Sequence, residues 1–348
     1  MTIADNANRH IYDVADRRAT ELLTNAKHAC DPILRNAVST LPEPLRSMAG
    51  YHFGWWDQSG APTTGGSGKA LRPALTIAAA ASLGVAPPTA TVYAAAVELV
   101  HNFTLIHDDI MDDDEMRRGR PTVWRVWGRT DAILLGNTFH ALALRIISDQ
   151  TPAAHVTQAV TALETAVIEM CRGQHRDCLF DNRQHVGIDA YMSMAMDKTG
   201  AIMGCACALG AVASGADRPT VSMMDQFGRQ LGLAFQFVDD LLGIWGDPRT
   251  TGKPTGDLAR RKLTLPVIAA LSSGDAASAE LAELYLSGTS PTPAAIVRIA
   301  ELVDSAGGRA WAEQCSDHCI RDAIAALPGH AAASDLVALA RMLADRDR

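Results

Sequence analysis

Apolar residues at positions 92, 96, 99, 103, 106 and 110 recur every three to four residues, which predicts a long helix from about 89 to 115. The same periodicity predicts an amphipathic helix over 10–38, ended before "TLPEP". Another helix should start near Lys69, with Pro73 in or near its first turn, and run to Gly84. Further helices are expected at about 121–149, 153–175, 188–213 and 218–243, with shorter ones after "GDPRTTGKPTGD". Few stretches alternate with period two, so strands are not expected. The stretch "GWWDQSGAPTTGGSG", residues 54–68, has loop composition. No repeat and no low-complexity tract is evident, and no linker divides the chain. The pattern predicts an all-α protein: one large single-domain helical bundle over 1–348, residues 1–10 flexible, with loops gathered at the helix ends.

With 348 residues and 48% hydrophobic content, the chain can bury a large core. A formal net charge of −8 argues against nucleic acid as the main partner and fits a protein that binds cations. The polar N-terminus is not a signal peptide, and the most apolar region, 74–100, is broken by "GVAPPTAT", so no transmembrane segment is expected and the cytoplasm is the expected compartment. Seven cysteines include no CxxC pair and read as buried thiols rather than zinc ligands or disulfides.

Charge changes the picture most at 105–124, "LIHDDIMDDDEMRRGRPTVW", which holds five aspartates between 108 and 114. On a helix Asp108 and Asp112 share a face, and Asp109 and Asp113 lie alongside. Their mutual repulsion destabilises a bare helix, and hard divalent ions such as Mg²⁺, sharing their shell with phosphates, remove it. Taken alone, such a motif is more often a solvated acidic helix end. A second pair, Asp239 and Asp240 in "AFQFVDDLLGIWGD", follows an apolar run where unpaired acids are costly. Both clusters fall late in long helices and are expected to face each other across a cavity. Lys69, Arg72, Arg117, Arg118, Lys198, Lys253 and Lys262 supply cations, and together these groups describe a diphosphate site.

The motifs "GKALRPAL", "ELVHNFTLIHDDIMDDDEMRRGRPT", "DKTG", "AFQFVDDLLGIWGD" and "GKPTGDLARRKLTLP", in this order, resemble the trans-isoprenyl diphosphate synthases, the family of farnesyl and geranylgeranyl diphosphate synthases. The likeness covers roughly 45–345, and "GYHFGWWDQSG" and "DDLLGIWGD" resemble actinobacterial members. It implies the isoprenoid synthase type of helical bundle around a central cavity, and head-to-tail condensation of isopentenyl diphosphate with an allylic diphosphate. It implies roughly three Mg²⁺ ions, or Mn²⁺ in their place, held by Asp108, Asp109, Asp112 and Asp239, with Asp240 in the second motif. Arg117, Lys198 and Lys253 match residues that grip the allylic diphosphate. Lys69, Arg72, His101 and Arg118 match the isopentenyl diphosphate pocket. Thr199 and Gln236 match polar groups beside the reacting carbons, and Lys262 matches a basic position near the diphosphate. Members of the family are commonly homodimers.

The chain departs from the pattern at two places. The second motif usually reads DDxxD, but its fifth position here is Gly243, and the next acid is Asp247 before Pro248. Asn137 stands where relatives often carry aspartate. His107, Trp55, Trp56, Trp245 and the "MSMAMDKTGAIM" methionines read as packing rather than ligands. Phe103, fifth before the first motif, with the small Thr104 fourth before it, resembles members that make geranylgeranyl diphosphate (C20), with farnesyl diphosphate (C15) next. The rival functions are a class I terpene cyclase on the same fold, which would not need the isopentenyl site, and a non-catalytic partner subunit, which would lose an aspartate motif.

Overall fold

The computed structural model describes residues 3–63, 68–180, 185–246, 256–286, 291–328 and 335–344. In chain order the elements are α1 (Ile3–Ser39), α2 (Leu45–His52), α3 (Leu71–Ser82), α4 (Pro87–Met111), β1 (Met116–Arg117), β2 (Arg120–Pro121), α5 (Val123–Trp127), α6 (Arg129–Gln150) and α7 (Ala153–Phe180). There follow α8 (Ile188–Ala195), a π-helical turn (Met196–Gly200), α9 (Ala201–Ala213), α10 (Arg218–Trp245), α11 (Leu265–Leu271), α12 (Ala276–Leu286), α13 (Pro293–Ser305), α14 (Gly308–Ala326) and α15 (Asp335–Ala344). Among the described residues the only strands are the two-residue pair β1 and β2, so the protein is all-α as the periodicity requires. No described helix is long and apolar enough to cross a membrane.

Contacts divide the chain into two compact units. The first comprises Met1–Val167, Ile202–Gly228 and Leu327–Leu339. Its core is α4, whose residues 93–97 and 99–100 are at most 1% exposed and which packs against α6, α3 and α1. Proline at the start of α4 suits the first turn, where no intrahelical N–H bond is lost. The helix ends at Met111, earlier than the pattern predicts. Asp112 caps it, its N–H still reaching Asp108 O at 2.8 Å, and Asp113 turns to φ 54°. Asp113 therefore leaves the helical face it was expected to share with Asp109 and pairs with Arg129 instead. The predicted helix 121–149 is likewise broken into α5 and α6, where Gly128 takes φ 93°.

The second unit comprises Ile168–Ala201, Arg229–Ala326 and Ala340–Arg348. Ile244, Leu258, Val267, Leu281, Tyr285, Ile299, Leu302 and Val303 form a buried cluster that joins the end of α10 to α11, α12 and α13. The helix predicted over 188–213 is present but widens into the π-turn at 196–200, which carries "DKT". Such turns expose backbone and re-aim side chains, and they are common at functional sites.

Candidate functional site

In the first unit the basic residues gather over buried helix α4. Arg72, from the first turn of α3, donates to His101 Nε2 at 3.1 Å. Burial, and then the charges of Arg72 and Arg118, hold the His101 ring well below the usual imidazole range. The ring is neutral and accepts from the guanidinium, which has no lone pair to offer. Beneath it lies Glu98, also buried, where burial pushes the carboxyl up while Arg72 and Arg118 pull it down. Asn102 donates to Glu98 Oε1 at 3.0 Å, and the His52 ring meets Asn102 Oδ1 at 3.0 Å. Arg118 sits at φ 52° in the turn between β1 and β2, and a methyl group at Gly68 would lie 2.8 Å from its guanidinium. Lys69, the residue after Gly68, is exposed. Lys69, Arg72, His101 and Arg118 are thus carried to one neighbourhood by α3, α4 and the β-turn.

That turn is held from outside by Arg120, which donates to Tyr51 O at 3.2 Å and Trp56 O at 2.9 Å and lies 4.1 Å over the Tyr51 ring. Tyr51 in turn donates to Pro121 O at 2.8 Å. Trp55 and Trp56 donate to Asp31 and to Ser47 O, and Phe53 stacks on Trp55 at 4.8 Å, so these rings build the wall of the loop.

The first aspartates divide their tasks. Asp109 is 2% exposed and is gripped by Arg117, 2.6 Å from its terminal nitrogen. Burial pushes the Asp109 carboxyl up to about 6 against the pull of Arg117. Asp108 and Asp112 are half-buried, and the continued helical bond between them keeps them one turn apart on one face. Below them, Phe103 is buried, edge-on to His107 at 4.8 Å and stacked on His140 at 5.6 Å, and His140 meets Glu164 at 2.7 Å. Thr104 donates to His101 O, and His107 Nε2 lies 3.2 Å from Ile133 O. Asn137 is exposed.

In the second unit Lys198, on the π-turn, donates to Asp177 Oδ2 at 2.5 Å, and Lys262 lies 3.7 Å from the same oxygen. Burial raises the Asp177 carboxyl, but the two ammonium groups outweigh it and leave it below the usual carboxylate range. The π-turn is fixed by Asp197, which accepts from Arg172 at 2.6 and 2.7 Å and from Arg176 at 2.9 Å. It also lies hard against α7, where a methyl at Gly173 would meet Lys198 N at 2.3 Å. Thr199 donates to Gln236 Oε1 at 2.7 Å, and Gln236 Nε2 donates to Asp240 Oδ1 at 3.0 Å. Asp240 is buried and also accepts from the Tyr191 hydroxyl and from Leu265 N at 2.9 Å. Burial pushes its carboxyl up to about 7. With both oxygens engaged, Asp240 braces α8, α10 and α11, and it is the half-buried Asp239 beside it that remains on the more open face.

Sequence reasoning missed Asp177, Asp197, Glu98, Asn102 and Tyr191. Asp177 had a local signal in "GQHRD", and Glu98 and Asn102 sit in "ELVHN" on the side of His101. Tyr191 had none. Lys253 and Asp247, named from the sequence, lie outside the described residues. A hard divalent cation fits the donor set, which is carboxylate oxygen at one-turn spacing. Among the described residues no three acidic, histidine or cysteine side chains close a cage, so a cation here completes its shell with water or phosphate oxygen.

A family model described as polyprenyl synthetase matches residues 55–302. The chain is 50% identical over 327 residues to a geranylgeranyl diphosphate synthase of Mycobacterium tuberculosis (strain ATCC 25618 / H37Rv), covering 94% of this chain and 93% of that one. It is 42% identical over 304 residues to a (2E,6E)-farnesyl diphosphate synthase of the same strain, covering 86% and 84%. The crystal structure of a polyprenyl synthetase from Streptomyces coelicolor A3(2) superposes with a TM-score of 0.89 at 41% identity, covering 93% of this chain and 99% of that one. Paired aspartates on long helices, a π-turn lysine on a buried carboxylate and a match across most of the chain lead to one assignment: the chain belongs to the polyprenyl synthetase family.

Proposed function

We propose that this chain is a magnesium-dependent trans-prenyltransferase that condenses isopentenyl diphosphate head-to-tail with an allylic diphosphate, with geranylgeranyl diphosphate as its main product. The observation that carries condensation, rather than ionisation alone, is the cluster of Lys69, Arg72, His101 and Arg118. Arg72 and Arg118 offer planar forks to diphosphate oxygens. Neutral His101, its Nε2 engaged by Arg72, leaves Nδ1–H as the remaining ring donor.

Asp108, Asp112 and Asp239 would hold Mg²⁺, and Asp109 would join them where Arg117 turns from it to the substrate. When bound, the ions supply positive charge against the leaving diphosphate. Lys198, Lys262, Arg117 and Lys253 take the oxygens of the allylic diphosphate as its C–O bond breaks and both electrons leave with oxygen. The double bond of isopentenyl diphosphate attacks the resulting allylic cation, and the departed diphosphate accepts the proton that restores the alkene. Thr199 and Gln236 present oxygen dipoles that stabilise positive charge without attacking it, and apolar walls keep water from the cation.

Phe103 under the first motif, with the small Thr104 above it, supports a C20 product. A homodimer and a cytoplasmic location belong to the same reading, and light scattering on the purified chain tests the former. The function is tested by a product assay with Mg²⁺, isopentenyl diphosphate and dimethylallyl, geranyl or farnesyl diphosphate, with geranylgeranyl diphosphate alone as a separate arm. Products ending at C20 support the proposal, and products ending at C15 move the floor. A hydrocarbon or terpene alcohol without elongation replaces the proposal with a cyclase. An inert chain that activates a second synthase makes it a partner subunit.

A further inference from the structure

Asp240 receives three hydrogen bonds in a pattern that its carboxylate cannot reverse. The Leu265 N–H, at the start of α11, donates to Oδ2 at 2.9 Å, and the Tyr191 hydroxyl, from α8, donates to the same oxygen. The other oxygen, Oδ1, lies 3.0 Å from the Gln236 amide, one turn earlier on α10. A carboxylate only accepts, so the amide turns its NH2 group to Oδ1 and its carbonyl away. That carbonyl oxygen, Gln236 Oε1, lies 2.7 Å from Thr199 Oγ1 on the π-turn. A carbonyl has no proton to give, so Thr199 commits its single O–H there, and its oxygen has only lone pairs left to offer a third group. Tyr191, Asp240 and Thr199 are 2%, 5% and 7% exposed, so water has little access to break the chain.

We propose that Asp240 is a positioning residue that sets the direction of this hydrogen-bond chain, so that Gln236 and Thr199 present acceptor oxygens to the reacting carbons. With the direction reversed, the same two side chains would present N–H and O–H groups, whose positive ends oppose an allylic cation. Asp240→Asn is the isosteric change that reverses it. Leu265 N–H and the Tyr191 hydroxyl still need an acceptor at the Oδ2 position, so the new NH2 group takes the Oδ1 position and meets the Gln236 NH2, donor against donor. A half-turn of the Gln236 amide relieves that mismatch, because a buried donor left unpaired is costly, and the half-turn brings Nε2 to Thr199. Adding Gln236→Glu to Asp240→Asn restores the original direction, since the second carboxylate accepts both from the amide at 240 and from Thr199. The inference rests on the proposed function for the cation, but not for the direction of the chain.

The test compares the full chain as parent, Asp240→Asn, Gln236→Glu and the swap Asp240→Asn/Gln236→Glu. Asp240→Asn is expected to lower kcat for isopentenyl plus geranyl diphosphate at least about thirtyfold, as the loss of a preorganised dipole does, with KM for both substrates little changed. Gln236→Glu alone sets two carboxylates against each other and should lose as much. The swap should recover at least about tenfold over either single variant, the non-additivity expected of groups in one network. Calorimetric titration of inorganic pyrophosphate with Mg²⁺ should leave Asp240→Asn within about threefold of the parent, where loss of a metal-shell group would cost about tenfold or more. NMR of the chain labelled with [15N]glutamine reads the direction without turnover. The Gln236 amide protons, identified by their absence in Gln236→Glu, should lie downfield against the carboxylate in the parent and move upfield in Asp240→Asn. Melting curves identify a variant that fails to fold, and the swap is then judged against the single variant that does. Parental kcat in Asp240→Asn, a swap no better than the single variants, or a tenfold loss of pyrophosphate binding overturns the inference. Failure of the proposed function shows up elsewhere, as a parent that makes no elongated product, and the NMR arm then still decides the direction of the chain.

Discussion

Asp177→Asn is expected to cut kcat/KM for isopentenyl plus geranyl diphosphate about thirtyfold, without touching any residue named from the family motifs. The Asp177 carboxylate is 12% exposed and lies 2.5 Å from Lys198 Nζ, with the Lys262 ammonium at 3.7 Å. Asparagine keeps its shape and removes its charge, leaving two ammonium groups facing each other. Breaking a buried ion pair by removing one partner costs about 3–5 kcal/mol. Lys198 and Lys262 keep 20% and 35% of their side chains exposed and can rehydrate by swinging outward, which lowers the figure to about 2 kcal/mol. On the proposed mechanism a swing of Lys198 away from its place on the π-turn would withdraw it from the leaving diphosphate, so the loss would be expressed in the transition state. About 2 kcal/mol corresponds to roughly thirtyfold in rate. Steady-state kinetics of Asp177→Asn, Lys198→Ala and the double variant read this directly. Because the carboxylate acts through the lysine, the double variant should be little worse than Lys198→Ala, a coupling above about 1 kcal/mol. An Asp177→Asn enzyme within threefold of the parent, or strictly additive losses, would refute the reasoning.

On the proposed mechanism Asp108→Ala and Asp239→Ala should each lower turnover by at least about a hundredfold, since each would remove charge that anchors the cation at the leaving group; near-parental kcat in either would end its assigned role. Phe103→Ala opens the space now filled against His140 and His107 and should lengthen products beyond C20, read by chromatography of the dephosphorylated alcohols; an unchanged distribution places the floor elsewhere. Arg120→Ala loses two charged hydrogen bonds and a ring contact worth together about 3 kcal/mol, and loosens the turn that carries Arg117 and Arg118. Its KM for isopentenyl diphosphate should rise about tenfold or more with kcat less affected, and an unaltered KM would show that the turn holds without it.

Most of the helices were legible along the chain because helical periodicity is local: α4 and α10 announce themselves by apolar residues every three to four positions. Asp108 and Asp112 were legible for the same reason, since i and i+4 share a face wherever the helix continues. Asp113 was misplaced because the end of α4 is set by a left-handed residue, not by the hydrophobic pattern. The basic residues were named from the motifs, but their supports were not, because Arg72 on His101 and His52 on Asn102 join elements far apart in sequence. Asp240 reads in sequence as a twin of Asp239. Only packing shows it facing inward to Tyr191, Gln236 and Leu265 N. Gly243 makes the same point in reverse, since only the fold shows that a side chain there would meet the Asp257 carboxylate. The sequence by itself determined the helices, the charge chemistry and the family, all of which depend on residue type and short-range spacing. The tertiary structure decided which carboxylates face outward and which are braced, because that depends on what other segments bring against them, and desolvation allows a buried charge only where a partner has been carried to it.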